Sequence, residues 1–420
     1  MIQRYLGNKS SIIDPILSYI GQYCNPGDLI CDIFSGTLAV SMALKKNNYR
    51  VISNDINKFS YSFGRAFLVN NTIPQIDFNS LKINENKHSN GIKDELKSLE
   101  GLDGFKFLSE KKQFNLYYRL AILLNYLNNI DNNDIAKESS YTYFFDTYAA
   151  AGNASKYKSI RGTVGNRQFF SSENGKIIDL ILNKIREWRL EKVLSEELYN
   201  MLISIVAESV EKISNTQGTF HDFSRNEMDS RALKRLNLRY PPLDDVISTK
   251  HKHLLGNEED SLEFIKRIPK HKLIYIDPPY NFRQYTSYYF MLNLICDYCE
   301  MENPNEYFSK IQFVRGQNLE KDFKSTFCQK EHFIPSLEQL ITDAKAEYVM
   351  MSYFNGRNHS NNKIPAKDEN GIEKLEYFFN SNLFIEGSFQ LIQIKRLNYQ
   401  SFNGHKAQEL NEYLFIAKKA

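Results

Sequence analysis

Leu273-Ile274-Tyr275-Ile276-Asp277-Pro278-Pro279-Tyr280 joins a buried-strand pattern to an abrupt stop. The first four residues, branched and aromatic, read as a buried strand. Proline locks φ and has no N–H, so Pro278 and Pro279 end the strand and stiffen the loop behind it. A carboxylate, a bare carbonyl (Pro278) and a phenol ring are thus held together at a strand's carboxyl end, where open α/β sheets bind ligands. The set suits a grip on the exocyclic amine of a planar base. Asp277 and the Pro278 carbonyl accept its two N–H bonds, and Tyr280 stacks on the ring. Four specified residues match a given position by chance roughly once in ten thousand or less, so the stretch says more than an ordinary strand-ending turn.

Outward from this strand, the N-terminal 70 residues alternate between helical and strand patterns. Apolar spacing predicts helices over 10–23, 37–47 and 57–70, and short strands over 28–34 and 50–53. That rhythm predicts a parallel sheet with helices on its faces. It stops over 75–250, where the chain is mostly polar and helical, with periodic stretches at 107–130, 177–190 and 196–213. An Asn-rich break at 128–134 and a basic, hydroxyl-rich segment at 148–174 lie between them. Alternation resumes with a strand to Asp277, a helix over 285–300, a strand over 347–353 and a final pair over 384–395 and 411–417. The expected organisation is a catalytic domain built from 1–72 and 250–420, split by a helical insertion over 73–249.

A chain of 420 residues exceeds what one core usually fills. Hydrophobic content of 42% and charged content of 25% are those of a soluble globular protein. A net charge of +3 permits a local nucleic-acid patch without a histone-like excess. The five cysteines, Cys24, Cys31, Cys296, Cys299 and Cys328, lack framework spacing, which suggests reduced thiols in a cytoplasmic protein. Cys296 and Cys299 fall within an apolar helical pattern with no second ligand pair nearby, so core packing is favoured over zinc. No apolar run reaches the roughly 18 residues that would span a bilayer.

Asp32-Ile33-Phe34-Ser35-Gly36-Thr37 follows the first strand and opens a helix. A glycine in such a turn lets backbone approach a ligand, and the helix N-terminus presents N–H groups to it. Asn54-Asp55-Ile56 ends the second strand, where a carboxylate suits ribose hydroxyls. Tyr5-Leu6-Gly7-Asn8-Lys9 sets a ring and an ammonium around a turn. The absence of GxGxxG and GxxxxGK[ST] loops from these turns argues for a nucleoside without a phosphate cradle. S-adenosylmethionine fits that description.

Together these stretches resemble the adenine-N6 DNA methyltransferases of the alpha group. In that family a tail-binding motif, a glycine motif, a ribose acid, a target-recognition region and the catalytic motif follow in order. Here the order is Tyr5-Leu6-Gly7-Asn8-Lys9, Phe34-Ser35-Gly36-Thr37, Asn54-Asp55, the insertion, then Asp277-Pro278-Pro279-Tyr280. Tyr280-Asn281-Phe282-Arg283-Gln284-Tyr285 is similar to the family's extended catalytic loop. Met351-Ser352-Tyr353-Phe354-Asn355 is similar to its fifth-strand motif, and Asn411-Glu412-Tyr413-Leu414-Phe415 to its closing strand. Asp260 matches the acid that often faces the cofactor adenine. Leu38 departs from the pattern, standing where a second glycine is usual; its side chain either crowds the cofactor or packs on the helix.

The resemblance implies an α/β fold: a mostly parallel seven-stranded methyltransferase sheet with helices on both faces, interrupted by a helical target-recognition insertion. It implies site-specific transfer of a methyl group from S-adenosylmethionine to N6 of an adenine flipped out of duplex DNA. Asp277, Pro278, Pro279 and Tyr280 are then catalytic. Tyr5, Lys9, Asp32, Phe34, Ser35, Gly36, Thr37, Asp55, Ile56, Asp260 and Asp277 surround the cofactor, and no metal is required. Stacking by Tyr280 contributes about 1–3 kcal/mol. Candidate DNA contacts are Lys156, Lys158, Arg161, Arg167, Arg225, Arg231 and Arg235 in the insertion, with Arg283, Gln284 and Tyr285 beside the catalytic loop; arginine reads guanine edges or holds phosphate. The polar loop over 357–371 either closes over DNA or merely connects. A monomer is expected, with a cognate restriction endonuclease, acting separately, as the implied protein partner. Methylation of RNA adenine or of cytosine N4, and an inactive DNA-binding relative, are the competing readings. Cytosine enzymes more often carry serine in place of Asp277, and RNA enzymes seldom carry so large an insertion.

Overall fold

The computed structural model describes residues 5, 7–247, 251–279, 284–354, 369–397 and 409–420. Its strands are β1 (Leu29–Asp32), β2 (Arg50–Ser53), β3 (Lys156–Lys158), β4 (Val164–Asn166), β5 (Leu254–Leu255), β6 (His271–Ile276), β7 (Ala346–Phe354), β8 (Gln390–Leu397) and β9 (Glu409–Lys418). Seven of them form one sheet in the order β5-β2-β1-β6-β7-β9-β8. The first five in that order run parallel, and β9 is antiparallel to both of its neighbours. The chain builds outward from β1 through β2 to β5, then returns to the other side of β1 with β6. Strand order therefore reverses between β1 and β6, and such a switch point opens a crevice beyond the carboxyl ends.

Period-two alternation explains why helices cover both faces. Ile30, Leu273, Tyr275, Met350, Leu414 and Ile416 enter one core, while Cys31, Ile274, Ile276, Val349, Met351 and Phe415 enter the other. The second core is closed by Ser261–Arg267, Phe333–Asp343 and Glu369–Phe379, through side chains such as Phe264, Leu337, Leu340 and Leu375.

The first core is closed by Ile13–Ile20 and Ala39–Lys46, and it continues without a break into 73–247. Leu120, Leu124, Ile181, Trp188, Leu202 and Val206 belong to it, carried on the helices Lys111–Asn128, Ser172–Leu190 and Glu196–Lys212. Lys58–Phe63 and the π-helical turn Gly64–Val69 pack on Glu196–Lys212. Ser171 and Ser195 start the last two of these helices, each hydroxyl accepting a backbone N–H at 3.2 Å.

Three local expectations change. The helix expected over 285–300 breaks at Tyr289 into Tyr285–Tyr288 and Phe290–Tyr298. The strand expected from 384 starts at Gln390, because a turn with Gly387 at φ +76° intervenes and only a single bridge joins Phe384 to Lys419. The basic segment over 148–174 contains an antiparallel hairpin, β3–β4, with Lys156 opposite Asn166. Its strands are too short for hydrophobic periodicity to show.

Candidate active site

A cleft with about 960 Å³ of atom-free space, its open mouth included, lies at the carboxyl ends of β1, β2 and β6. Tyr5, Lys9, Asp32, Phe34, Ser35, Gly36, Thr37, Asp55, Ile56, Asp260, Asp277, Pro278 and Pro279 all line it. Residues from five separate segments therefore face one space. Tyr280 and Arg283 lie outside the described residues, as do 357–368 of the polar loop.

The β1 and β2 loops are tied to each other. The Asn54 carbonyl accepts from the Ser35 N–H at 2.9 Å and from its hydroxyl at 3.1 Å. The Asp55 carboxylate accepts from the Gly36 N–H at 2.8 Å and from the Asn57 N–H and amide at 2.9 and 2.8 Å. Burial holds the Asp55 carboxyl above the usual carboxylate range, against the pull of those donors. Gly36 adopts φ +50°, and a Cβ there would lie 3.1 Å from the Tyr5 ring. The glycine thus allows Tyr5 to cover the loop. Tyr5 in turn stacks on Tyr289, with centroids 4.4 Å apart.

Leu38 has φ +65° and is fully buried in the first core. The left-handed region costs a non-glycine residue about 1–2 kcal/mol. Burial of the leucine side chain offsets that cost, and the side chain packs into the core and is absent from the cleft wall.

Asp32 is 1% exposed and accepts the Ser41 hydroxyl at 2.6 Å. Burial pushes its carboxyl up to about 7, with Asp277 and Asp55 adding to the rise. Lys9 lies 2.8 Å from Asp277 and 3.1 Å from Glu412. Burial would pull its ammonium down, but the two carboxylates outweigh that and hold it above its ordinary value. Among the described residues lining the cleft, Lys9 is the one cation, facing Asp32, Asp55, Glu259, Asp260 and Asp277. This donor set suits a cationic ligand and repels a phosphate.

The acid cluster at 258–260 is resolved by its partners. Glu258 pairs with Lys58 at 2.9 Å, and Glu259 with Arg267. Asp260 caps Ser261–Arg267, accepting the Leu262 N–H at 2.7 Å, and lines the cleft.

With this geometry in view, the D12 class N6 adenine-specific DNA methyltransferase model matches residues 5–332. The chain belongs to that family. Membership decides for adenine N6 on DNA over the RNA and cytosine-N4 readings, and it requires a methyl donor. The chain is 26% identical to the type II methyltransferase M.NlaIII of Neisseria lactamica, over 99% of both proteins. It is 28% identical to the type II methyltransferase M.FokI of Planomicrobium okeanokoites, over 99% of this chain but only 52% of that protein. The modification methylase StsI of Streptococcus sanguinis is 25% identical over the same shares, 99% and 52%. The chain thus spans about half the length of two of these relatives and nearly all of the third. Among the described residues no helix is long and apolar enough to cross a membrane.

The cations suggested for DNA separate into groups in this methyltransferase. Lys156, Lys158 and Arg161 are exposed on the β3–β4 hairpin, whose tip also carries the fully exposed Ile160. Arg225 is half exposed beside it, its guanidinium 2.8 Å from Asp222 and 3.3 Å from the Tyr157 hydroxyl. Arg231 donates to the Ser214 and Thr216 carbonyls at 3.1 and 2.6 Å. Arg235 donates to the Asn128 carbonyl at 3.0 Å and lies 3.2 Å from Glu173. Arg167 is a correction. It is 2% exposed, and its guanidinium donates to the carbonyls of Val314, Ala154 and Phe313 at 2.9–3.0 Å, so it braces the interior and cannot reach DNA. Gln284 and Tyr285 stand in the cleft wall. The Gln284 amide oxygen accepts the Ser325 N–H at 3.0 Å.

Several wall residues carry no motif signal, among them Phe323, Ser325 and Cys328. They arrive from a segment docked on the other loops, with Phe327 edge-on to Phe34 at 5.0 Å. Glu412 likewise has no role that its motif alone assigns. Its signal is an acid directly ahead of the apolar run over 413–417 in β9, since a buried charge requires a partner.

Proposed function

We propose that this protein methylates N6 of an adenine flipped out of duplex DNA, with S-adenosylmethionine as the donor. The observation that carries the reading is the convergence of Asp277, Pro278 and Lys9 with the β1 and β2 loops in one cleft. The lining fits that cofactor: a site with five acidic side chains, Asp32 alone among them holding its proton up to about 7, and one already paired ammonium accommodates a sulfonium and an α-ammonium. Asp55 would hold the ribose hydroxyls. Gly36 and Thr37 would lie against the amino-acid tail, with Phe34, Ile56 and Asp260 around the adenine. When bound, the cofactor supplies a methyl group on a positively charged sulfur, whose C–S bond breaks as the bond to N6 forms.

The remaining chemistry belongs to this chain. An adenine N6 is a poor nucleophile because its lone pair is delocalised into the ring. Asp277 and the Pro278 carbonyl, by accepting both N–H bonds, favour a tetrahedral nitrogen with its lone pair free. The positive charge that develops on N6 is stabilised where it forms, and its proton leaves to Asp277 or to water. Tyr280 stacks on the flipped base, whose extrusion is needed to reach the amine. Residues 73–249 serve as the recognition portion of a catalytic domain formed by 1–72 and 250–420, and the hairpin cations Lys156, Lys158 and Arg161 contact DNA. The proposed setting is restriction–modification, which accords with the type II relatives, and the proposed form is a cytoplasmic monomer.

Expression in methylation-free cells, followed by sequencing that reports modified bases, tests this directly. N6-methyladenine at one recurring motif is the expected result; unmodified DNA, or methylcytosine, overturns the reading.

A further inference from the structure

Glu412 lies on β9, two strands from the loop that carries Asp277. It is fully buried and accepts the Ser352 hydroxyl at 2.8 Å from the adjacent strand β7. Its carboxylate lies 3.1 Å from Lys9 Nζ, and that same ammonium is 2.8 Å from Asp277. One buried cation is thus shared by two carboxylates delivered from different strands.

The charge count gives this arrangement a consequence. Lys9 and Asp277 alone would form a neutral pair, and the ammonium would cancel much of the field that Asp277 presents to a developing cation. Glu412 restores one net negative charge. In a buried site such a charge acts over a few ångströms with little screening. Asp32, Tyr275 and Tyr5 also face this set and feel the charge of Asp277, Tyr275 that of Glu412 as well, and Asp55 lines the same cleft.

We propose that Glu412 is a positioning residue for methyl transfer: acting through Lys9, it fixes the Asp277 carboxylate at the end of β6 and keeps the Asp277–Lys9–Glu412 set at one net negative charge. The inference deepens the assignment of Asp277 as acceptor of the target amine and rests on it.

The test uses the full chain, tritiated S-adenosylmethionine and plasmid DNA from methylation-free cells. Glu412→Gln keeps the shape and removes the charge. Its single-turnover rate is expected to fall at least ten-fold, with cofactor affinity by calorimetry within two-fold of the parent. The acid limb of its rate–pH profile moves to lower pH, because Asp277 loses a negative neighbour. Adding Lys9→Gln returns the set to one negative charge and raises the rate above that of Glu412→Gln alone, whereas a merely structural role predicts a further loss. A single-turnover rate within two-fold of the parent in Glu412→Gln overturns the proposal, as does an unmoved acid limb. Should Glu412→Gln lose the parent's melting transition, Lys9→Gln is compared with the double variant. Lys9→Gln moves the acid limb up, and the second change must bring it back down; no return overturns the proposal. Asp277→Ala on the same DNA separates the two levels. If it retains activity, the assignment of Asp277 fails; if it is inactive while Glu412→Gln behaves as the parent, only the role of Glu412 fails.

Discussion

The carboxyl edge of the sheet and the helical insertion handle charge in opposite ways. At the sheet edge, acids from separate loops converge on one space, each anchored by a neighbouring N–H, hydroxyl or ammonium: Asp32 by Ser41, Asp55 by Gly36 and Asn57, Asp260 by Leu262, Asp277 by Lys9. In the insertion, arginines close together in sequence go to opposite fates. Arg161 is exposed at the hairpin tip, while Arg167 is sunk among three carbonyls. A charged residue's task is set by the backbone around it and not by its type.

The largest expected effect falls at the edge. Asp277→Ala should slow methyl transfer by about 10²–10³-fold or more while cofactor binding stays within a few-fold. Single-turnover assays with parallel calorimetry check this, and an active variant would remove Asp277 from the chemistry of the sheet edge.

The next effect concerns pH. The folded Asp32 carboxyl holds its proton up to about 7, whereas the ordinary value is 3.8. Across that window the unfolded chain is ionised while the folded chain stays protonated, so stability falls as pH rises from about 4 to 7 and levels off above. The penalty is on the order of 4 kcal/mol at about 1.4 kcal/mol per unit. Asp32→Asn should therefore gain on its parent between pH 5 and pH 7.5 in urea unfolding. Equal pH dependence in the two proteins would show that Asp32 is ionised in the folded state.

Arg167→Met leaves three carbonyls without their donor and should cost roughly 3 kcal/mol of stability. Arg161→Ala should leave the unfolding midpoint unchanged, weaken DNA binding a few-fold and make the log–log salt dependence shallower by about 1. The reverse pattern, a stability loss at Arg161 and a DNA-binding loss at Arg167, would refute the division of the insertion's cations. Leu38→Gly relieves left-handed strain of about 1–2 kcal/mol but empties a core position that is worth about 2–5 kcal/mol. It should lose a net of up to about 4 kcal/mol of stability in urea unfolding with cofactor affinity unchanged; weaker cofactor binding would place Leu38 in the site.

Much of the sheet edge was legible along the chain because its signals are local. Gly36 after a strand, Asp55 after the next and two prolines after Ile276 each act within a few residues of themselves. The hairpin β3–β4 was hidden because three-residue strands carry no period, and the fate of Arg167 because its acceptors Val314 and Phe313 belong to a distant loop. The segment that supplies Phe323, Ser325 and Cys328 was hidden for the same reason: it reaches the cleft through contacts such as Gln284–Ser325 and Phe34–Phe327, which no spacing announces.

Motif order and strand-ending prolines were enough to name the sheet and to single out the turns after β1, β2 and β6 that meet in one cleft, since proline, glycine and alternating hydrophobicity constrain backbone wherever they occur. Which charges meet was left to the folded molecule. Lys9 and Glu412 stand near opposite ends of the chain, and they touch because β9 inserts beside β7 and carries a buried carboxylate that must find a cation.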